Sequence, residues 1–165
     1  MIPYGRQDIS EDDIKSVIEV LKSDYLTQGP TVPAFEQAVA SYCGVRYGVA
    51  VNSATSALHI ACIALGVSKN DEVWTSPITF VASANCGLYC GATVDFVDIE
   101  EDTALISISK LKKKLEEAEQ DGVLPKILIP VHFAGQACDM EEIYNLSKRY
   151  GFRIIEDAAH ALGAT

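Results

Sequence analysis

Between Tyr47 and Asp157 five short apolar runs alternate with four helix-like stretches, and this alternation narrows the fold more than any other feature. The runs are YGVAVNS, EVWTSP, TVDFVDI, KILIPVHF and FRIIED. Their cores, such as ILIPV and RII, are continuous and rich in β-branched residues, the pattern of strands covered on both faces. The stretches between them, about 54–65, 79–90, 109–120 and 139–150, read as helices. Strands that alternate with helices pair in parallel, because each helix carries the chain back to the start of the next strand. The expected class is α/β, a three-layer α/β/α unit around a mainly parallel sheet. A chain of 165 residues is long enough to bury one such core.

Upstream, Ser10 and Asp13 have the spacing of a capping box, and Ile14, Val17, Ile18 and Leu21 recur at helical intervals. The turn-rich stretch YLTQGPTVP ends that helix, and a second is predicted from about Pro33 to Tyr42, with Gly44 beyond its end. The expected division is a helix and loop over 1–32 and an alternating core over 33–165. The charge run KLKKKLEEAEQ reads as a solvated helix face, with Lys112–Glu116 and Lys113–Glu117 as i,i+4 pairs.

Charge and cysteine use exclude several classes. A net charge of −10 argues against nucleic acid or an anionic membrane as partner. No run approaches the length of a membrane span, and MIPYGRQDIS lacks the basic and apolar regions of a signal peptide. Cys43, Cys62, Cys86, Cys90 and Cys138 are odd in number and scattered, as free thiols of a cytoplasmic protein would be. Cys86 and Cys90 share a helix face without further ligands nearby, so buried packing is expected of them and no metal site.

Three stretches could carry chemistry. NSATSALHIA, 52–61, follows a strand and opens a helix with small hydroxylated residues. Its free N–H groups suit a phosphate, with Ser53 or Thr55 adding a hydroxyl, although ordinary N-capping would use the same residues. No glycine-rich dinucleotide or nucleotide loop is present. Phe80, in SPITFVASAN, lies at a strand-to-helix junction and could stack on a planar ligand or pack in the core. In EDAAHALGA, Asp157 and Ala159 share one side of the extended chain. The acid could pair with a ring N–H⁺, Ala159 could lie against the ring face and His160 could reach a ring substituent; equally, Asp157 could cap the next turn. His132 reads as a core histidine or a site-edge group, and His59 as structural. All three stretches lie at C-terminal strand ends, which converge on one edge of a parallel sheet. A phosphate seat, an aromatic and an acid for a ring nitrogen together describe pyridoxal phosphate.

The chain resembles the pyridoxal-phosphate-dependent sugar aminotransferases of the DegT/DnrJ/EryC1 family. The resemblance rests on PYGR, LTQGPTVPAFE, NSATSALHIA, DEVWTSPITFVASANC, PVHFAGQACDM and EDAAHALGA, in that order along the whole chain. It implies the large domain of the aspartate-aminotransferase-like fold, type I, truncated. It implies that Ser53, Ala54 and Thr55 hold the cofactor phosphate, Phe80 stacks on the ring, and Asp157 pairs with the ring nitrogen. Ala159 would take the ring's other face and His160 the region of the ring hydroxyl. Tyr4, Asp24, Tyr25, Leu26 and Thr27 match parts of the nucleotide-sugar site. SPITFVASANC and PVHFAGQACDM are nearest to members that serve pseudaminic acid biosynthesis. Such members move an amino group from L-glutamate to the 4-keto carbon of a UDP-4-keto-6-deoxy-N-acetylhexosamine, and they are homodimers. In the family the lysine that bonds the cofactor follows the EDAAHALGA segment, and none of Lys15, Lys22, Lys69, Lys110, Lys112, Lys113, Lys114, Lys126 and Lys148 has that context. The chain is therefore expected to be the N-terminal part of a longer enzyme, inactive alone and prone to association. Two alternatives are a sugar 3-dehydratase of the same family, with histidine for that lysine, and a non-catalytic domain.

Overall fold

The computed structural model describes residues 7–164. The chain divides into two compact units, Met1–Ala50 and Val51–Thr165.

The first unit holds helices α1 (Glu11–Lys22) and α2 (Thr31–Tyr42). The capping box forms: the Asp13 N–H donates to the Ser10 hydroxyl at 3.2 Å, and the Ser10 N–H donates to the Asp13 carboxylate at 2.8 Å. The Ser10 N–H foremost, and then its hydroxyl, hold the Asp13 carboxyl below the usual carboxylate range. A carboxyl lowered in the folded state adds stability above its unfolded value and loses it as pH falls through the folded one. Ser10→Ala is expected to raise the Asp13 titration midpoint and to fray the first turn of α1, both read by NMR. The apolar stripe of α1 has the expected period, yet Ile14, Val17, Ile18 and Leu21 are all exposed. Helix α2 begins at Thr31, earlier than predicted, because Pro30 takes the N-cap position and Pro33 lies in the first turn, where no N–H is needed. The strand predicted at 47–53 does not form. The Ala50 N–H donates to the Glu36 carboxylate at 2.8 Å instead of to a ladder, and among the described residues no strand pairs with this run.

The second unit runs α3 (Ala54–Ala64), β1 (Glu72–Thr75), α4 (Ala82–Tyr89), β2 (Thr93–Phe96), α5 (Ile108–Asp121), β3 (Ile127–Ile129), α6 (Met140–Tyr150) and β4 (Arg153–Ile154). The sheet is parallel, in the order β2-β1-β3-β4. Val73 pairs with Val94 and Ile127, and Trp74 with Asp95 and Leu128, so the two-residue period sends alternate side chains to opposite faces. Val73, Ile127 and Ile129 pack with Leu58, Cys62, Ala82 and Cys86 of α3 and α4. Trp74 and Leu128 pack with Leu111, Leu115, Ile143 and Leu146 of α5 and α6. These are the three expected layers. Chirality explains the sorting: the step from β1 to β2 moves one way across the sheet and the steps to β3 and β4 move the other way. Right-handed crossovers then place α4 on one face and α5 and α6 on the opposite face. Gly87 lets α4 lie close to the sheet, since a Cβ there would sit 3.1 Å from the side chains of Val73 and Val94.

The charge run forms the solvent face of α5. Leu111, Leu115 and Ala118 turn inward, and Lys113–Glu117 forms at 3.8 Å. Lys112 reaches Glu142 of α6 at 2.6 Å rather than Glu116, a bond between helices that the local pattern does not reveal. Among the described residues no helix is long and apolar enough to cross a membrane.

Candidate functional site

The strand order reverses between β1 and β3, and in open α/β sheets ligands bind beyond the carboxyl ends of strands at such a point. A cavity of about 270 Å³ lies there, lined by Ala54, Thr55, Leu58, Thr79, Phe80, Ala82, Val131, His132, Phe133, Asp157, Ala159 and His160. Of the residues singled out in the second unit, Ala54, Thr55, Phe80, Asp157, Ala159 and His160 meet in this one cavity.

One wall is the start of α3. Ser53 is its N-cap, and its hydroxyl accepts the Ser56 N–H at 3.2 Å, so Ser53 does cap the helix. Ala54 and Thr55 occupy the next two positions, whose N–H groups have no acceptor within the helix and mark the positive end of its dipole. A second wall is Phe80, between β1 and α4. It is 73% exposed, so core packing does not hold it, and its ring is available to a ligand.

The third wall follows β3 and β4. The Asp157 N–H donates to the Pro130 carbonyl at 2.9 Å, and the His132 N–H donates to the Asp157 carbonyl at 3.0 Å, prolonging the ladder past the strands proper. This extension fixes Asp157 at the cavity rim with 9% of its surface exposed. One carboxylate oxygen accepts the Ala159 N–H at 3.3 Å, the turn-capping role foreseen as an alternative. The other accepts the Ser83 hydroxyl at 2.6 Å. No lysine or arginine among the described residues forms an ion pair with it. Burying a carboxylate without a cation is costly, a cost its two hydrogen bonds offset in part, and Asp157 opens onto the cavity.

His132 is a buried core histidine and also part of the cavity wall. Its Nδ1 accepts the Cys138 N–H at 3.2 Å, so the proton is on Nε2, which donates to Glu156 at 2.9 Å. The neighbouring Cys138 thiol donates to the Val131 carbonyl at 3.2 Å, and burial pushes its pKa up to about 11, making it a poor nucleophile. Gly135, at φ +89°, brings this loop against the His160 carbonyl, where a Cβ would sit at 3.0 Å. His59 lies edge-on to Tyr89, a structural role as expected.

Ser83, Thr79 and Glu156 escaped the sequence reading. The only local hint for the hydroxyl pair is the i,i+4 spacing of Thr79 and Ser83 where a helix begins. Asp24, Tyr25, Leu26 and Thr27 are exposed in the loop between α1 and α2 of the first unit, and Tyr4 lies outside the described residues. None of the lysines lines the cavity.

Comparison with known proteins finds related sequences and folds. A model described as the DegT/DnrJ/EryC1/StrS aminotransferase family matches residues 7–165. The UDP-4-amino-4,6-dideoxy-N-acetyl-beta-L-altrosamine transaminase of Campylobacter jejuni is 43% identical over 99% of this chain and 42% of its own length. The UDP-4-amino-4-deoxy-L-arabinose--oxoglutarate aminotransferase of Shewanella sediminis is 36% identical over 98% of this chain and 40% of its own. The PLP form of Spr1654 from Streptococcus pneumoniae superposes with a TM-score of 0.86 at 30% identity, over 98% of this chain and 44% of that one. The chain thus spans about two fifths of the length of the curated relatives it matches.

Proposed function

The chain belongs to the DegT/DnrJ/EryC1/StrS aminotransferase family, and we propose that its cavity holds pyridoxal phosphate in a nucleotide-sugar aminotransferase. The observation that carries this reading is the buried Asp157 carboxylate, which faces a ligand cavity and has no cation beside it among the described residues.

The donor set fits the cofactor at both ends. The start of α3, with the N–H groups of Ala54 and Thr55 and the Thr55 hydroxyl, suits a phosphate dianion, while Ser53 caps the helix and is not among the cavity's lining residues. Asp157 suits a protonated ring nitrogen, and Phe80 and Ala159 suit the two faces of a flat ring. His160, which lines the same cavity, is assigned to a ring substituent. Bound pyridoxal phosphate supplies an electron-withdrawing ring that stabilises negative charge at the carbon next to the transferred nitrogen. Asp157 serves that chemistry by holding a proton at the ring nitrogen, since an adjacent anion favours the cationic form. The apolar side chains of Leu58, Val131 and Phe133 keep water from the same space and strengthen that pairing. Among the described residues no lysine lines the cavity, so the binding assigned to this segment is reversible.

For a protein of the relatives' full length we assign amino transfer from L-glutamate to the 4-keto carbon of a UDP-linked 2-acetamido-2,6-dideoxy sugar, in pseudaminic acid biosynthesis. The name of the Campylobacter jejuni relative supports the sugar, and that of the Shewanella sediminis relative supports the donor, since oxoglutarate is the keto acid of glutamate. Tyr4 and Asp24–Thr27 are assigned to the nucleotide-sugar site. Free thiols, including the exposed Cys43, support a cytoplasmic setting, and the exposed stripe of α1 supports a homodimer. The test is transfer of ¹⁵N from labelled glutamate to the UDP-4-keto sugar by the full-length protein, read by mass. A sugar that remains a ketone while pyridoxal phosphate is bound would overturn the substrate assignment.

A further inference from the structure

We propose that Ser83 is the residue that orients the Asp157 carboxylate, with Thr79 as the second member of a directed hydroxyl chain. The role toward the ring nitrogen rests on the cofactor reading above; the orientation of the acid does not.

Ser83 sits in the first turn of α4 and has no exposed surface. Its hydroxyl oxygen lies 2.6 Å from an Asp157 carboxylate oxygen, 2.8 Å from the Thr79 hydroxyl and 3.1 Å from the Phe80 carbonyl. A serine hydroxyl has one proton, so only one acceptor can receive it. The carboxylate receives it, because a bond to a charged acceptor is shorter and about twice as strong as one to a neutral carbonyl. The Ser83 oxygen is then an acceptor toward Thr79, whose hydroxyl must be the donor. Protons therefore point from Thr79 to Ser83 to Asp157, and each bond polarises the next.

This chain does two things that the Asp157 loop alone does not. The Ala159 N–H, at 3.3 Å, is a weak restraint from the acid's own turn, so the short bond from α4 sets how the carboxylate plane is turned. The same turn of α4 begins two residues after Phe80, with Val81 between them as the N-cap. One buried hydroxyl thus ties the acid that faces one part of the ligand to the segment that carries the aromatic wall. Thr79 itself lines the cavity, so the chain is anchored at its outer end where a ligand would lie.

Binding of pyridoxamine 5′-phosphate to the 165-residue chain, followed by its fluorescence, tests the role toward the cofactor. Ser83→Ala is expected to weaken binding roughly tenfold, the size of one charge-assisted hydrogen bond. Ser83→Thr, which keeps the hydroxyl, is expected to stay within about threefold of the wild type. A Ser83→Ala chain that binds as well as the wild type, or a Ser83→Thr chain as weak as Ser83→Ala, would overturn it. Denaturation without cofactor tests the orientation by itself. Ser83→Ala is expected to lower the folding constant roughly tenfold beside Asp157 and less than about threefold in an Asp157→Ala background. Equal losses in both backgrounds would overturn the pairing. If the wild type binds no pyridoxamine phosphate, the cofactor reading falls, and the cofactor-free cycle alone decides whether Ser83 orients the acid.

Discussion

Asp157→Asn is expected to weaken pyridoxal phosphate binding by about 3 kcal/mol, roughly a hundredfold, while leaving the fold intact. The substitution is nearly isosteric, and an asparagine oxygen can still accept the Ser83 hydroxyl, so the one local bond lost is the long one from the Ala159 N–H, which an amide NH2 cannot accept. What it removes is the negative charge. A ring nitrogen would then lie at a mostly buried position without an anion, and the protonated form would lose its stabilisation. Asp157→Glu keeps the charge but pushes it one methylene further into the cavity, and an intermediate loss is expected. Binding of pyridoxal phosphate by dialysis or absorbance, with far-UV circular dichroism as the folding control, reads both variants. Unchanged affinity in folded Asp157→Asn would remove the acid from the site.

Trp74→Ala is expected to destabilise the second unit by about 3–5 kcal/mol, a large share of the stability of an ordinary domain. Trp74 is buried in β1 beside Leu128 and packs under α5 and α6, with the Lys114 ammonium 4.8 Å from its ring centroid. Alanine would leave a cavity in the larger of the two core layers. Trp74→Phe is expected to cost far less. It keeps most of the ring and also removes an indole N–H that is buried without a hydrogen-bond partner among the described residues. Denaturant unfolding followed by circular dichroism separates the two, since the chain has one tryptophan and both variants lose its fluorescence. Similar losses for alanine and phenylalanine would contradict this account, because the unpaired indole N–H has no bond to lose.

Much of this arrangement could be read from the residues alone, for identifiable reasons. Continuous runs such as ILI at Ile127–Ile129 report burial on both faces, and that is a property of the segment itself. The same logic misjudged 47–53. A β-like run becomes a strand only if a neighbour offers a ladder, and the Glu36 carboxylate takes the Ala50 N–H instead. The α1 stripe likewise shows a helical period but not what, if anything, covers it. At the site, Thr55, Phe80 and Asp157 could be grouped because each follows a strand or opens a helix, and a parallel sheet gathers such positions on one edge. The Ser83–Asp157 bond joins residues 74 positions apart, and no local pattern marks a serine in the first turn of a helix as the partner of a distant acid. The tautomer of His132 was hidden for the same reason: it depends on Cys138 and Glu156, which only the folded loop brings together.

The most direct test of the whole account is a crystal structure of the 165-residue chain with pyridoxamine 5′-phosphate. The expected result is a phosphate at Ala54 and Thr55, the ring between Phe80 and Ala159, and the ring nitrogen at Asp157. A ligand seated elsewhere, or bound with its phosphate toward Asp157, would contradict the account.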